Sequence, residues 1–286
     1  MKRIALILGL VALAAAFAVP PAGAMGKPRI AALQVGLAAK GLYGGTIDGV
    51  WGPMTARAVR RLQRRARITV DGVPGPQTRR ALGALGRHPL GSRVLRPGHV
   101  GWDVSMTQFM LAWHGFPSGT FDGGFGPRTE RAARRFQRWA RIGVDGRPGP
   151  MTFRALRGPL PRAGISLSRP VGIGVTDRFG PRGRRFHTGL DFPAGYGVRV
   201  HAAAGGRVVV ARWTSGGYGN LVVVLHRNGR TTWYAHLSRI GVRPGGWISR
   251  GSVLGRVGAT GASTGPHLHL ELRVRGAAAN PLPALR

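Results

Sequence analysis

The sequence predicts a multidomain α+β protein in which two small three-helix repeats are followed by an antiparallel all-β domain. Two observations carry this prediction: an internal repeat with an offset of 74 residues, and short strand-like runs separated by glycine turns after residue 170. The 286 residues are enough for two or three domains, and 43% hydrophobic content is enough for packed cores. The chain contains no cysteine, which excludes disulfides and thiolate metal sites.

The repeats are defined by two motifs, each of which occurs twice. Asp48–Thr55 matches Asp122–Thr129, and Val70–Thr78 matches Val144–Thr152. Each motif joins an Asp-Gly turn to a Gly-Pro step, and proline is favoured at the first position of a helix. The predicted helix starts are the Gly-Pro steps at 52–53, 75–76, 126–127 and 149–150.

The middle helix of each repeat is predicted to be amphipathic. Val59, Leu62 and Ala66 share one face in the first copy, and arginines cover much of the rest. The corresponding residues in the second copy are Ala133, Phe136 and Ala140. The arginine face is interpreted as a solvated surface that attracts anions at long range.

The all-β prediction rests on alternating apolar runs after Pro170. A strong hairpin signal, Asn228–Gly229, separates two of these runs. The predicted strands are Val198–His201, Gly206–Trp213, Asn220–His226, Thr231–Ala235, Val253–Val257 and His267–Val274.

Residues 1–24 have the pattern of a secretory signal peptide. Lys2 and Arg3 precede an uncharged apolar run over 4–19, and Ala22–Gly23–Ala24 is a small-residue cleavage site. The alternative is an uncleaved anchor, but the run is short for a bilayer span of about 20 residues. The prediction is therefore cleavage after Ala24, no transmembrane span in the mature chain, and a secreted protein of the cell wall or periplasm.

The net charge of +34 predicts a polyanionic partner. Nucleic acid and an anionic cell envelope are the two candidate classes. Predicted export disfavours a specific nucleic-acid partner, and the sequence contains no base-reading motif. An anionic envelope polymer is the partner that this composition favours.

Two short segments carry metal-competent side chains. In the run from Pro266, the strand period places His267, His269 and Glu271 on one face. In the other segment, His187 and Asp191 are four residues apart, which puts both on one face of an extended strand. Two such strands would bring three histidines and one aspartate together.

Together with His236, this gives the β domain a set suited to metal-assisted amide hydrolysis. A catalytic zinc uses three protein ligands and leaves one position for water. The remaining histidines can transfer protons or stabilise an oxyanion. Spacing alone does not say which three residues bind the metal.

The two helical units resemble the peptidoglycan-binding repeats of bacterial wall hydrolases. The motif is Asp-Gly-x-x-Gly-Pro-x-Thr, then Leu/Phe-Gln, then a second Asp-Gly-x-Pro-Gly-Pro-x-Thr. The resemblance implies binding to bacterial peptidoglycan, with anionic wall polymers as further partners.

The β domain resembles the lysostaphin-type (LytM-like) zinc endopeptidases. The segments that match, in order, are Arg178–Arg182, Phe186–Phe192, Gly217–Asn220, Tyr234–Leu237 and Gly265–Glu271. The resemblance implies one Zn²⁺ held by His187, Asp191 and His269. It also implies that His267 is the general base and that His236 stabilises the transition state.

The expected protein is a secreted cell-wall hydrolase that cleaves peptide cross-links of peptidoglycan. The alternative is a non-catalytic peptidoglycan-binding protein or hydrolase activator. The predicted division is a signal peptide at 1–24, repeat 1 at 28–86, a linker at 87–103, repeat 2 at 104–158, a linker at 159–170, and the zinc endopeptidase domain at 171–286.

Several residues keep a second interpretation. His187 and Asp191 would also suit a hairpin pair bonded to each other. Glu271 is predicted to form a salt bridge or to support His269, in preference to acting as a base. Tyr218 and Asn220 would either line the substrate groove or only shape a turn.

Overall fold

A computed structural model describes residues 25–286 of the chain. The predicted signal peptide lies outside these residues. None of the helices in the described part is long and apolar enough to cross a membrane.

The first half folds into two three-helix units, as predicted. Proline is the first residue of every helix except α4, because its missing N–H costs no hydrogen bond there. The α4 helix begins within the stretch predicted as a linker. The helices are α1 (Pro28–Ala39), α2 (Pro53–Arg65), α3 (Pro76–Ala81), α4 (Trp102–Trp113), α5 (Pro127–Ala140) and α6 (Pro150–Leu156).

The predicted apolar face of α2 is right for Val59 and Leu62, which are buried. It is wrong for Ala66, which follows the last residue of the helix and is exposed. Helix α5 buries Ala133 and Phe136 in the same way, and Ala140 at its end is half-buried.

Four buried glutamines explain why the repeated motif has its form. Gln63 Nε2 donates to Asp71 Oδ1 at 2.7 Å and to Thr78 Oγ1 at 3.1 Å. Gln63 Oε1 accepts a hydrogen bond from Gly72 N at 2.9 Å, so one side chain ties a helix to the turn and to the next helix. The same arrangement recurs at Gln34, Gln108 and Gln137.

The second half is an antiparallel all-β domain, as predicted. Strands β1 and β2 form a hairpin, and the other strands form one sheet with the order β11-β10-β7-β6-β5-β8, which β3, β4 and β9 extend. The strands are β1 (Gly180–Arg182), β2 (Arg185–His187), β3 (Leu190–Phe192), β4 (Arg199–His201), β5 (Gly206–Thr214), β6 (Gly219–Leu225), β7 (Arg230–Ile240), β8 (Trp247–Ile248), β9 (Val253–Val257), β10 (Leu268–Val274) and β11 (Ala277–Ala279).

Three local expectations have different outcomes. The hairpin at Asn228–Gly229 is confirmed, since it joins β6 to β7 and both residues have positive φ. The strand predicted over Thr231–Ala235 extends to Ile240. The prediction that His187 and Asp191 share one strand is wrong, because the chain leaves the hairpin after His187 and enters the main sheet at Leu190.

The second repeat packs directly on the β domain. Trp113 of α4 makes edge contacts with Phe179 and Phe186, at ring-centroid distances of 6.2 and 5.3 Å. On the other side of the repeat, Trp139 Nε1 donates to Val274 O at 3.1 Å. Since Phe186 precedes His187 in β2, a helix of the repeat supports a strand of the candidate site.

Candidate metal centre

Strand pairing brings the candidate ligands together. Strand β10 lies between β3 and β7, with His269 opposite Asp191 on one side and opposite Ala235 on the other. His187 enters from the neighbouring hairpin. A Cβ on Gly189 would lie 2.4 Å from Leu270 O, so only glycine lets the chain pass this close to β10.

One donor atom from each of His187, Asp191 and His269 lies close to the other two. The distances are 3.1 Å from His187 Nε2 to Asp191 Oδ1, 2.7 Å from His269 Nδ1 to Asp191 Oδ1, and 3.1 Å between the two histidine nitrogens. Tetrahedral zinc with bonds of about 2.1 Å places its ligand atoms roughly 3.4 Å apart. The three donor atoms therefore lie roughly 0.3–0.7 Å closer together than the ligand atoms of a tetrahedral zinc.

In each imidazole one nitrogen binds a partner outside the donor cluster, and the other nitrogen faces Asp191. His187 Nδ1 donates to Arg178 O at 3.0 Å, which leaves Nε2 as the electron-pair donor. His269 Nε2 faces Glu271 Oε1 at 3.2 Å, which leaves Nδ1 for a metal. Partners of this kind fix the tautomer and orientation of metal-bound histidines.

The electrostatics of the cluster favour a cation. Burial alone would raise the pKa of Asp191, but hydrogen bonds from His187 and His269 hold it well below its usual range. Burial would lower the pKa of His269, but hydrogen bonds to Asp191 and Glu271 raise it to about 9. A metal ion would therefore take the place of a proton on His269.

Two further histidines face the same cavity. His267 Nδ1 lies 2.9 Å from Gly265 O, to which it donates, so its Nε2 is bare and lies 3.9 Å from Asp191 Oδ1. His236 Nδ1 donates to Thr260 O at 2.8 Å, and the two imidazole rings are 4.7 Å apart. Burial lowers the pKa of His236, because it disfavours the charged form of the ring.

The backbone of His236 is unusual. Its φ is 62°, in the left-handed region that a non-glycine residue rarely adopts inside a strand. The pairing of β7 with β6 is irregular between Tyr234 and Leu237, and its pairing with β9 is irregular just after this, between Leu237 and Arg239. Such conformations cluster at functional sites, where the surrounding structure compensates for their cost.

Glu271 is the most heavily bonded acid in the site. It is fully buried, and its carboxylate accepts hydrogen bonds from Thr188 Oγ1 at 2.5 Å, Tyr218 Oη at 2.9 Å and Arg273 Nε at 2.7 Å. Burial would raise its pKa, but the Arg273 charge and the His269 contact lower it to about 2. Three of its four partners contact Oε1 and the fourth contacts Oε2, so the carboxylate is engaged by groups of the protein itself.

The structure brings all five predicted site residues to one cavity of about 520 Å³. Tyr218 lines this cavity, whereas Asn220 Nδ2 donates to Leu237 O at 2.9 Å. Sequence reasoning missed Thr188 and Arg273. The signal for Arg273 was its position two residues after Glu271, on the same face of the strand.

The comparisons with known proteins match both halves of the chain. Residues 185–281 match Peptidase family M23. Residues 26–82 and 101–156 match a peptidoglycan binding domain. The matches are in the order expected from the sequence, with the peptidoglycan-binding repeats before the M23 domain.

Three relatives illustrate the similarity. The DD-carboxypeptidase/endopeptidase Mpg of Neisseria meningitidis is 48% identical over 98 residues, which cover 34% of this chain and 22% of the relative. Lysostaphin of Staphylococcus staphylolyticus is 36% identical over 105 residues, covering 35% and 22%. The solved catalytic domain of lysostaphin from Staphylococcus simulans is 33% identical, covers 42% of this chain and 88% of that domain, and has a TM-score of 0.34.

This chain therefore covers about a fifth of the length of the two curated relatives. The similarity to Peptidase family M23 is confined to the β domain of this chain.

Proposed function

We propose that the protein is a secreted cell-wall hydrolase, a zinc-dependent endopeptidase that cleaves peptide cross-links of bacterial peptidoglycan. The observation that carries the proposal is the convergence of His187, Asp191 and His269, whose donor atoms lie within 4.8 Å of one another. The match to a peptidoglycan binding domain supports peptidoglycan as the substrate, and so does the name of one relative, Peptidoglycan DD-endopeptidase ShyA of Vibrio cholerae.

The proposal also includes the predicted division of the chain. The signal peptide is 1–24 and the repeats are 28–86 and 104–158. The zinc endopeptidase domain is 171–286. In this division the repeats hold the enzyme on the wall.

His187, Asp191 and His269 would hold the zinc. When bound at such a site, zinc acidifies water and polarises the carbonyl of the scissile bond. The donor set fits this ion, because it offers two imidazole nitrogens and one carboxylate oxygen without thiolates.

His267 and His236 would carry out proton transfer and stabilise charge in the reaction. With both Nδ1–H groups bound to backbone carbonyls, each ring presents a bare Nε2 that accepts a proton. We assign proton removal from water to His267, which lies nearer Asp191. His267 would then pass this proton to the leaving amine. His236, after taking a proton from solvent on Nε2, would stabilise the developing negative charge.

The test is clearing of purified peptidoglycan together with release of free amine. We expect activity from the native protein, loss on chelation and recovery when zinc is added. His269→Ala should abolish activity and zinc binding. The matched control is His201→Ala, which removes a half-buried histidine of the same domain outside the cavity.

One outcome would support the alternative function. If zinc-loaded protein binds the wall but releases no amine from several wall types, the protein is a non-catalytic binder or a hydrolase activator. Mass spectra of the released fragments would identify the bond that is cut.

A further inference from the structure

The hairpin of β1 and β2 carries the candidate ligand His187 but does not belong to the main sheet. Among the described residues it forms a sheet of its own, with three residues in each strand. An isolated hairpin of two strands is at best marginally stable in water. The position of His187, at the end of β2, therefore depends on the contacts that other parts of the chain make with this hairpin.

Both repeats bind the turn of this hairpin through their backbone. Ile47 N of the first repeat donates to Gly183 O at 2.9 Å, and Phe121 N of the second repeat donates to Arg184 O at 2.7 Å. These two carbonyls belong to the two residues that join β1 to β2. Ile47 and Phe121 are fully buried, and both belong to the core cluster that contains Phe186 of β2. Each repeat therefore holds the turn by one hydrogen bond and one buried side chain.

The two donors occupy equivalent positions of the internal repeat, because they are 74 residues apart and each precedes an Asp-Gly turn. Buried glutamines fix both turns. Gln34 Nε2 donates to Asp48 Oδ1 at 2.8 Å, and Gln108 Nε2 donates to Asp122 Oδ1 at 2.8 Å. The helices that carry these glutamines, α1 and α4, are in contact with each other. The internal geometry of the repeat pair therefore sets where the two donors lie.

Aromatic packing from the second repeat supports the same hairpin. The ring of Trp113 contacts Phe179 and Phe186, and these two rings are 5.0 Å apart. Phe186 immediately precedes His187, and neighbouring residues of a strand point to opposite faces. The aromatic rings thus pack against one face of β2, while His187 Nε2 on the other face lies 3.1 Å from Asp191 Oδ1.

We propose that the two repeats act together as a clamp on this hairpin, and that Ile47 and Phe121 are positioning residues for the candidate metal ligand His187. This inference rests on the proposed function. It makes the repeats a structural part of the metal centre, because their hydrogen bonds and aromatic contacts act on the strand that ends in His187.

The test compares four side-chain truncations in the full chain. Ile47→Ala and Phe121→Ala, the clamp variants, remove the buried side chains that hold the two donors in place. Leu62→Ala and Phe153→Ala are their matched controls. They remove buried side chains of the same size from the other core cluster, which contains no residue of the hairpin.

The first measurement is hydrogen exchange of the zinc-free protein. Each clamp variant should exchange the amides of 180–187 roughly tenfold faster than its control, because only the clamp variants lose local support of the hairpin. Ile47→Val keeps a buried apolar side chain, so it should exchange these amides much more slowly than Ile47→Ala.

The second measurement is zinc affinity, titrated against a competing chelator. Loss of a group that orients a metal-bound histidine typically costs about 10- to 100-fold in metal affinity, and we expect a loss near the lower limit in both clamp variants. The controls should keep the zinc affinity of the native protein.

Equal exchange over 180–187 in the clamp variants and their controls would overturn the proposal, because the hairpin would then be stable without the repeats. An effect of Phe121→Ala alone would also overturn it, since the first repeat would then have no part in the clamp. Faster exchange with unchanged zinc affinity would refute the positioning role.

The native protein separates this inference from the proposed function. If it binds zinc and releases amine from peptidoglycan while clamp and control variants exchange equally, only the clamp fails. If it binds no zinc and releases no amine, but both clamp variants selectively speed exchange of the hairpin, only the enzymatic proposal fails.

Discussion

At the scale of single residues, Glu271 determines the orientation of the His269 imidazole. The carboxylate is held by four groups and approaches His269 Nε2 at 3.2 Å. Arg273, which neutralises it, lies over the ring of Trp233 at 3.8 Å and also donates to Tyr218 Oη at 2.8 Å. A buried charge of this kind is tolerated only when it is paired and fully hydrogen-bonded. The network therefore fixes the orientation of the His269 ring, whose Nδ1 would bind a metal.

Glu271→Gln tests this positioning role. The amide keeps the shape of the side chain but loses the negative charge that orients and polarises His269. Loss of such a partner typically costs about 10- to 100-fold in metal affinity. We expect a loss in this range when zinc is titrated against a competing chelator.

Thr188→Val is the control for Glu271→Gln. It removes one neutral hydrogen bond to the same carboxylate and leaves the charge in place, so its effect on zinc affinity should be several-fold smaller. Unchanged zinc affinity in a folded Glu271→Gln protein would show that Glu271 serves stability alone.

At the scale of elements, each repeat is held together by buried glutamines more than by long helices. Helix α3 is only six residues long, and a helix of this length is not stable by itself. Gln63 connects it to α2 through the Asp71 turn. The regular spacing of glutamine, Asp-Gly and Thr in the sequence follows from this geometry.

Gln63→Leu should therefore destabilise the protein strongly. Leucine matches the volume but leaves the buried groups Gly72 N and Thr78 Oγ1 without this partner, and each unsatisfied buried group costs about 1–3 kcal/mol. We expect a loss of about 3 kcal/mol in the free energy of unfolding, measured with urea. Gln77→Leu, at an exposed position of α3, should change it by less than about 0.5 kcal/mol.

The sequence predicted the features of these elements that depend on local pattern. Gly-Pro steps marked helix starts, and strand alternation placed His267 and His269 on one face, because each signal lies within a few residues. The left-handed backbone of His236 had no such signal, since it results from irregular pairing with two other strands. The contact of Trp113 with Phe186 joins segments more than 70 residues apart. Long-range packing of this kind produces no periodic pattern in the sequence, so it could not be predicted from it.

At the scale of the whole molecule, the repeats and the peptidase domain share a hydrophobic core. Phe109 and Trp113 of α4 belong to the same buried cluster as Phe186 and Leu270 of the β domain. Backbone hydrogen bonds reinforce the contact, with Phe121 N donating to Arg184 O at 2.7 Å. Tight packing of this kind transmits displacements, so a change at the junction is expected to reach the strands that carry the candidate ligands.

Gly115 provides the sharpest test of this junction. It has a φ of +85°, and a Cβ there would lie 2.3 Å from both N and O of Ala278 in β11. Gly41, its counterpart in the first repeat, has a φ of +72° but nothing within 4 Å of the added Cβ. Alanine at either position has the backbone cost of about 1–2 kcal/mol, and only at position 115 does it also force the repeat away from the sheet.

We therefore expect Gly41→Ala to lower the free energy of unfolding by about 1 kcal/mol, and Gly115→Ala to lower it by clearly more. Hydrogen exchange should separate the two variants further, because only Gly115→Ala should speed exchange in β10 and β11. Equal losses of stability, with exchange in these strands unchanged, would mean that the repeat only rests against the sheet. Faster exchange at His269 in Gly115→Ala would instead connect the helical half of the chain to the geometry of the candidate metal site.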